Sequence, residues 1–506
     1  MTIPAYQPSS DVGQRTGKWT LFVLVAVGVF MATLDTSIVN ISLPSIAAHF
    51  RVPLNGAIEW VIIAYLVVVA ASLLTAGRLA DLIGRKSLWL SGLVIFTAGS
   101  ALCGAAWSLP ALIGFRALQG VGGALLMAVS PAMLTTAFPP RERGRALGLN
   151  SLIVATGVSV GPTLGGIINQ RLAWRWIFYV NVPIGIIGVV VTMFLLLEPS
   201  PRVRGRLDPL GASLLGLGLA GLTGGLTFGE ELGWRSPPII AMLLATAVVL
   251  AAMVPYELRH PQPTLDLRLF RSRVFASTCA SLTLSFLALF AVSFMLPFYF
   301  EQLRGFGAEQ SGLLLTPLPL MIALFAPISG AAADRIGTRW LASAGMAISC
   351  AGLVLLSQLE PSSPLVDVVW RLMVIGFGQA LFVSPNNSAL LGAAPPDRVG
   401  IASGILATCR VIGQSLSVAL AGAVFTGLGG SQAGRALIQV SSRDSVQLLA
   451  LQRQFISAFR ATLLTCAAVA AIGVFTSLIR GREVRPGAKG KHEGGTPTTL
   501  LLNGPR

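Results

Sequence analysis

Apolar segments of about twenty residues, broken by short polar turns, run along nearly the whole chain, and each is long enough to cross a bilayer as a helix. Fourteen are predicted, at 19–43, 57–77, 87–106, 109–134, 145–168, 174–197, 209–229, 237–256, 274–300, 311–331, 339–358, 366–391, 399–427 and 457–479. The Gly-rich segment 209–229 is the weakest. The first 18 residues are polar and no cleavage site follows the first segment, so it is expected to be a retained helix rather than a signal peptide. Between 428 and 456 the pattern changes, and Leu448, Leu449, Leu451 and Phe455 suit an amphipathic helix lying along the outer surface.

Composition agrees with this pattern. Of 506 residues, 54% are hydrophobic and 11% are charged, against about 25% charged in soluble domains; mean hydropathy is +0.76. A soluble chain of this length would have too little polar side-chain area to cover its surface. With both ends on one side of the bilayer, 24 of the 36 Lys and Arg fall on that side and nine on the other. The remaining three, Arg116, Arg371 and Arg410, lie inside segments. This excess marks the cytoplasmic side, and an odd number of crossings would erase it. The net charge of +16 is therefore topology and attraction to anionic lipid, not a nucleic-acid footprint. Cys103, Cys279, Cys350, Cys409 and Cys466 stand singly in apolar stretches, without a Cys-x-x-Cys pair or metal-ligand spacing. They read as packing residues, and neither metal nor cofactor is expected.

Asp35 is the only carboxylate placed well inside an apolar segment, about 24 Å past Trp19 along a helix. An isolated acid at such depth costs about 2.5–3.5 kcal/mol on insertion scales and commonly marks an ion path or proton relay. The other reading is a satisfied polar residue that joins two helices. Arg116 lies about 9 Å below the outer end of its helix and Asp35 about 12 Å short of Leu43, so the two are at similar depth. Arg116 either partners Asp35 or donates to backbone carbonyls between helices. Arg371, near the outer end of its segment, reads as snorkelling. Arg410, about 16 Å in from the inner end of its helix, either locks the second half through carbonyls, the favoured reading, or meets an anionic substrate. Glu59, at the outer start of the second segment, is either a second acid at the mouth or, as favoured, a solvated loop carboxylate.

The chain repeats itself. Gly77, Asp81 and Gly84 recur at an offset of 253 as Gly330, Asp334 and Gly337. Gly120-x-Gly122-x-Ala124-Leu125 recurs at 256 as Gly376-x-Gly378-x-Ala380-Leu381, and Ala155-Thr156 with Gly161 at 252 as Ala407-Thr408 with Gly413. The first six segments need only about 180 residues, so the repeat is about 70 too long, and segments 209–229 and 237–256 fill the gap. The expected architecture is all-α and polytopic, in the order six, two, six. A cytoplasmic tail (1–18) leads into a first bundle (19–198) and a linker with two extra helices (199–273). A second bundle (274–480, with the outer loop 428–456) and a cytoplasmic tail (481–506) follow. Parallel repeats of this kind put a substrate site between the halves near the midplane.

The turn Gly77-Arg78-Leu79-Ala80-Asp81-Leu82-Ile83-Gly84-Arg85-Lys86 has glycines for a tight turn and close helix contact, and an acid able to sit against a helix N-terminus. Here the chain resembles the major facilitator superfamily, whose signature at this place is G-x-L-a-D-r-x-G-r-k. The resemblance implies a major facilitator fold in which Gly77, Asp81, Gly84, Arg85 and the repeat's Asp334 latch one conformation without touching substrate. In the fifth segment, Gly157-x-x-x-Gly161-Pro162-x-x-Gly165-Gly166 lets helix backbones approach, while Pro162 removes a backbone donor and kinks the helix. This stripe is similar to the signature of facilitators that run as antiporters. Leu34-Asp35-Thr36-Ser37 through Pro44, and Trp174-Arg175-Trp176-Ile177-Phe178-x-x-Asn181-x-Pro183-x-Gly185, are similar to motifs of the fourteen-span drug:proton antiporter family. Ser37 stands where threonine is more usual. Phe115-Arg116-Ala117-Leu118-Gln119-Gly120 matches that family's R-x-x-q-G element, which the resemblance links to proton coupling.

The expected function is proton-coupled export of lipophilic small molecules such as drugs or antibiotics. In it Asp35 takes a proton from outside and Arg116 makes that uptake depend on conformation. Trp60, Tyr65, Asn40, Phe294 and Phe298, with Phe290 and Tyr299, are candidates to line an apolar cavity that would also suit cations through ring faces. Members of the resembled family that export dications tend to carry an added acid in the second half's membrane helices; segments 311–331 and 399–427 hold none, so the resemblance implies neutral or monovalent cargo. An enzyme is not expected, because His49, His260 and His492 lie in loops or the tail and no segment pairs a nucleophile with a base. ATP is excluded as energy source by the lack of a G-x-x-x-x-G-K-[ST] loop. The alternatives are a proton-coupled metabolite importer and a non-transporting scaffold on the same fold. The expected setting is the bacterial inner membrane with both termini cytoplasmic, and a periplasmic adaptor protein is a partner the resemblance allows.

Overall fold

Inside a bilayer no water is available to backbone N–H and C=O groups, so apolar segments must satisfy them internally, as helices do. The computed structural model describes residues 17–52, 58, 60–139, 141–196, 208–233, 235–261, 265–395, 398–439 and 445–480, and their regular structure is all helical. First come α1 (Lys18–Phe50), α2 (Trp60–Ile83), α3 (Arg85–Gly104), α4 (Leu109–Ala137), α5 (Arg143–Arg171) and α6 (Asn181–Leu195), the last entered through a single turn at Trp176–Tyr179. A hairpin follows, α7 (Pro209–Leu232) and α8 (Pro237–Arg259). The second half holds α9 (Arg273–Phe298), α10 (Pro317–Ile336), α11 (Thr338–Leu356), α12 (Leu365–Gly392), α13 (Val399–Gly427), the short α14 (Gly430–Gln439) and α15 (Ser445–Leu478).

Among the described residues, twelve helices are long and apolar enough to cross a membrane. α5 and α7 fill the other two expected segments and have the length, 29 and 24 residues, but fall outside that twelve. Side chains of several residues in both helices lie outside the described residues, and the described apolar stretch of α7 runs from Pro209 to Leu222. The described residues thus show a multi-span helical protein, and fourteen crossings stay an expectation.

Some boundaries differ from expectation. α1 runs past Leu43 to Phe50 and is closed by Arg51, whose left-handed backbone (φ 55°) turns its N–H back onto the last carbonyls. Within the outer loop expected over 428–456, helix forms as α14 and the first turns of α15, with 440–444 outside the described residues. Phe455 is buried there, its ring 5.2 Å from that of Phe425, and Leu449 is exposed. Arg480, expected to start the tail, is buried and donates to Asn386 Oδ1 of α12. Residues 1–16 and 481–506, which make up most of the expected tails, lie outside the described residues.

The halves meet where α2 crosses α13 and α5 crosses α10. Glycine makes both crossings possible: a Cβ on Gly77 would stand 2.5 Å from the Gly400 carbonyl oxygen and 3.1 Å from Gly404 Cα, and one on Gly144 would overlap the Gly330 carbonyl. At each crossing an acid then caps the facing helix. Asp81 accepts from the N–H groups of Gly400 (3.0 Å) and Ile401 (3.1 Å), and Asp334 from those of Gly144 (2.9 Å) and Arg145 (3.2 Å). First-turn N–H groups have no partner within their own helix, and the helix dipole favours a carboxylate there. Ser384 Oγ donates to the Gly144 carbonyl at 2.8 Å, and Ser403 Oγ to that of Ala128. Gly84 and Gly337 begin α3 and α11 at φ 96° and 97°, a left-handed conformation that a side chain would strain. Arg85, next in line, donates to Thr136 Oγ1 (2.9 Å) and the Ala132 carbonyl (3.4 Å) of α4. All these bonds lie at the end of the molecule that carries the excess of Lys and Arg, so the halves are joined there. On one flank α7 packs against both α2 and α13.

Asp81→Ala deletes two bonds to a charged acceptor, together about 3–6 kcal/mol. In a background without the five native cysteines, a cysteine at position 403 is expected to react with a bulky maleimide at least about tenfold faster once Asp81 is Ala. An unchanged rate would show that the cap does not hold this end shut.

Candidate functional site

Near the opposite end, the starts of α2, α4 and α6 and the close of α3 converge on the middle of α1, where Asp35 lies. Its carboxylate accepts from Arg116 Nη1 at 2.6 Å, Gln119 Nε2 at 2.9 Å and Asn181 Nδ2 at 3.1 Å. Arg116 and Gln119 are three residues apart on α4 and so share a face; Nη1 also donates to Gln119 Oε1 at 2.7 Å. Arg116 Nε donates to the Val61 carbonyl on the first turn of α2 at 2.9 Å, and the guanidinium lies 4.4 Å from the Tyr65 ring centroid. Asn181 Nδ2 reaches Ser100 Oγ at 3.2 Å, and that hydroxyl donates to the Phe178 carbonyl at 2.8 Å. Both readings of Arg116 hold at once, since it bonds a backbone carbonyl and partners Asp35.

The exposure of Asp35 is 0% and that of Arg116 1%. Charges taken this far from water are tolerated only when paired and hydrogen-bonded, and here three donors converge on one carboxylate. In this conformation the pair is sealed from solvent. The glycine stripe of α5 lies against the same stretch of α1. Ser37 Oγ, half a turn beyond Asp35, donates to the Gly157 carbonyl at 3.1 Å, and a Cβ on Gly157 or Gly161 would overlap Thr33 or Ser37. Gly165 is buried farther along α5; the side chain of Pro162 lies outside the described residues.

The aromatic candidates divide. Tyr65 is 1% exposed and packed on Arg116 in this conformation. Trp60 lies against Phe228 of α7, ring centroids 4.8 Å apart, and so faces the hairpin. Phe294 and Phe298 are half-buried on α9 and meet edge to face at 5.3 Å. Tyr299 is buried, its hydroxyl donating to the Glu360 carbonyl at 2.6 Å. Glu59 and the side chain of Asn40 lie outside the described residues. Arg371 reaches towards the outer end of α12, its Nη2 3.8 Å from half-exposed Asp367 one turn earlier, while its Nε and Nη1 are buried. Arg410 lies on α13, its guanidinium 5.5 Å from the Phe286 ring centroid. Among the described residues no His, Cys, Asp and Glu group could hold a metal ion.

Gln119, Asn181 and Ser100 were not singled out from the sequence as site residues. For two of them the signal was present: Gln119 stands one turn after Arg116, and Asn181 is the one amide in the polar-poor run that opens α6.

Comparison with known proteins follows the same lines. The family model described as Major Facilitator Superfamily matches residues 25–418 and 310–504. The chain is 35% identical to the riboflavin transporter RibZ of Clostridioides difficile, over 81% of this chain and 88% of that one. It is 34% identical to the multidrug resistance protein Stp of Mycobacterium tuberculosis, over 81% and 76%. The solved structure of the human organic anion transporter MFSD10 shares 16% identity at a TM-score of 0.64, over 91% of this chain and 99% of that one, a likeness of fold alone.

Arg116→Leu would leave Asp35 buried without a counter-charge, at a cost of about 3–5 kcal/mol. The double variant Asp35→Asn/Arg116→Leu is expected to recover more than half of that loss in thermal or denaturant unfolding of the purified protein. Equal destabilisation in both would mean that the pair is not coupled.

Proposed function

The chain belongs to the major facilitator superfamily, a family of membrane transporters, and on that premise we propose that it is a proton-coupled exporter of lipophilic small molecules. The observation that carries this is the Asp35–Arg116 pair, 2.6 Å apart and closed off from solvent, near the end opposite the one where the halves are joined. A carboxylate held this way can exchange a proton only when its surroundings rearrange, and coupling requires that dependence on conformation.

The proposed cycle uses this chain's own groups. With the basic end latched, a proton from the outer side neutralises Asp35. Arg116 then loses its counter-charge, the bonds from Gln119 and Asn181 weaken, and cargo leaves outward. When the halves rock the other way, the caps at Gly400 and Gly144 part, Asp35 opens towards the cytoplasm, and the proton departs as cargo enters. The glycine stripe at Gly157, Gly161 and Gly165 lets α5 slide on α1 beside Thr33 and Ser37, which places the moving contact next to the acid. Asp81 and Asp334 hold the latch, and Phe294 and Phe298 belong to the apolar wall. The membrane proposed is the bacterial inner membrane, with both termini cytoplasmic. A periplasmic adaptor would extend the route beyond that membrane and plays no part in the coupling step.

Of the two relatives compared above, one is named for multidrug resistance and one for riboflavin transport, so direction and cargo are the parts that need testing. A metabolite importer is the competing reading, and the complete glycine-proline stripe argues against it. A scaffold would have no use for the insertion cost of Asp35.

In proteoliposomes of the purified chain, an imposed pH gradient is expected to drive uphill movement of lipophilic dyes, and Asp35→Asn is expected to abolish it while passive exchange remains. Gradient-driven transport persisting in Asp35→Asn would remove the acid from the mechanism. In cells, dye exclusion should disappear on adding a protonophore. Protonophore-sensitive uptake would instead indicate an importer, and no difference from cells lacking the protein a scaffold.

A further inference from the structure

Arg410 is not explained by the coupling cluster or by the latch. It stands about 16 Å along α13 from Val399, at mid-membrane depth, and is half-buried. Its Nε is buried without a hydrogen-bond partner, and among the described residues the side chain makes no bond to a backbone carbonyl. The reading favoured from sequence, a lock through carbonyls, is therefore not what the structure holds. Among the described residues no acid pairs with the charge either. Neither α9 nor α13 contains Asp or Glu. Asp81 on neighbouring α2 is committed to the α13 cap, Asp35 is enclosed by its own three donors, and the acids of α7 stand at its far end, positions 230 and 231. A guanidinium cannot shed its proton, so an unbalanced charge at this depth points to a partner that comes and goes.

The surroundings narrow the chemistry such a partner would need. Arg410, Gly413, Gln414 and Ser417 follow one another at helical spacing on one face of α13. Gly413 brings this face onto α9, where a Cβ would meet the Thr283 carbonyl oxygen at 2.7 Å and Phe286 Cβ at 2.8 Å. Ser417 is fully buried and its Oγ has no hydrogen-bond partner, a second polar group on the stripe left open. Phe286, beneath the guanidinium, begins a row of half-buried rings on α9, continued by Phe290 and Phe294 at four-residue intervals. The rest of α9 at this level, Ser285, Ala288, Leu289 and Val292, is buried in the bundle. One fixed positive charge thus stands at the foot of an aromatic strip. It repels cations, its planar fork fits a carboxylate, and one charge balances a monoanion where a dianion would leave an excess in an apolar site.

We propose that Arg410 and the α9 strip Phe286, Phe290 and Phe294 form a binding site for monoanionic aromatic carboxylates, the carboxylate on Arg410 and the ring system along the phenylalanines. The site names a cargo class for the proposed exporter and rests on that reading only for the direction of transport.

The test is equilibrium binding of 1-pyrenebutyrate and of its neutral amide to the purified full chain in nonionic detergent. The acid is expected to bind at least about tenfold more tightly than the amide, the worth of a hydrogen-bonded charge. Arg410→Gln should cancel that preference with amide binding unchanged, Arg410→Lys should keep part of it, and Phe286→Leu should weaken both probes alike. Equal binding of the two probes by the unaltered chain, or a preference that survives Arg410→Gln, overturns the proposal. So does displacement of the acid by equimolar phosphatidylglycerol, which would assign the site to a lipid headgroup. Gradient-driven dye export by the same protein reconstituted in proteoliposomes separates the two readings. Export without an acid preference sinks the cargo class alone, whereas an Arg410-dependent preference without export sinks the exporter and leaves the site standing.

Discussion

The first half of the molecule is organised by a single ion pair that neither partner could occupy alone. Asp35 and Arg116 are enclosed by five helices, and each helix contributes where its ends allow: a carbonyl from the first turn of α2, a hydroxyl from the last turns of α3, an amide from the first residue of α6. Burying two charges is tolerable only because each is paired and hydrogen-bonded, so the positions of Gln119, Asn181 and Ser100 follow from the pair as much as from packing. The register of α4 against α1, and the point at which α6 begins, are set by that requirement.

The two halves are held by a different device at the opposite end. Each half supplies one acid and one glycine crossing, and each acid closes a helix of the other half, so the contact is reciprocal and releases as a unit. Both acids sit on helices that cross at backbone-to-backbone distance, where any side chain larger than hydrogen would lift the carboxylate out of reach of its N–H groups. Relay and latch therefore share no residue and communicate only through the rigid helices that join them, above all α2 and α5.

Much of this could be read from the residues, for identifiable reasons. Asp35 and Arg116 announce themselves because helical rise converts position into depth, and two charges at one depth in hydrocarbon must account for each other. The offset of 253 exposes the reciprocal caps, since Gly77 and Asp81 return as Gly330 and Asp334 with their spacing intact. The directions of apolar side chains were not legible. Tyr65 and Trp60 stand on one helix at the same end, yet one packs on a guanidinium and the other on Phe228, and nothing in an aromatic residue's type separates the two. Arg480 was missed for a related reason: a basic residue at a helix end looks like the start of a solvated tail until its partner Asn386, 94 positions away, is seen. Sequence arithmetic likewise revealed that a hairpin was inserted without revealing the flank it would occupy.

That flank makes the molecule lopsided. Two seams run between the halves, and α7 covers the one between α2 and α13. Along the other, Val160 and Ile167 of α5 and Leu320, Leu324 and Ile328 of α10 present bare aliphatic groups to acyl chains. A change in bilayer thickness or lateral pressure then acts directly on one seam and only through an intervening helix on the other. Uniform squeezing by the lipid is converted into bending, with the clad edge as the spine about which the uncovered edge opens and shuts.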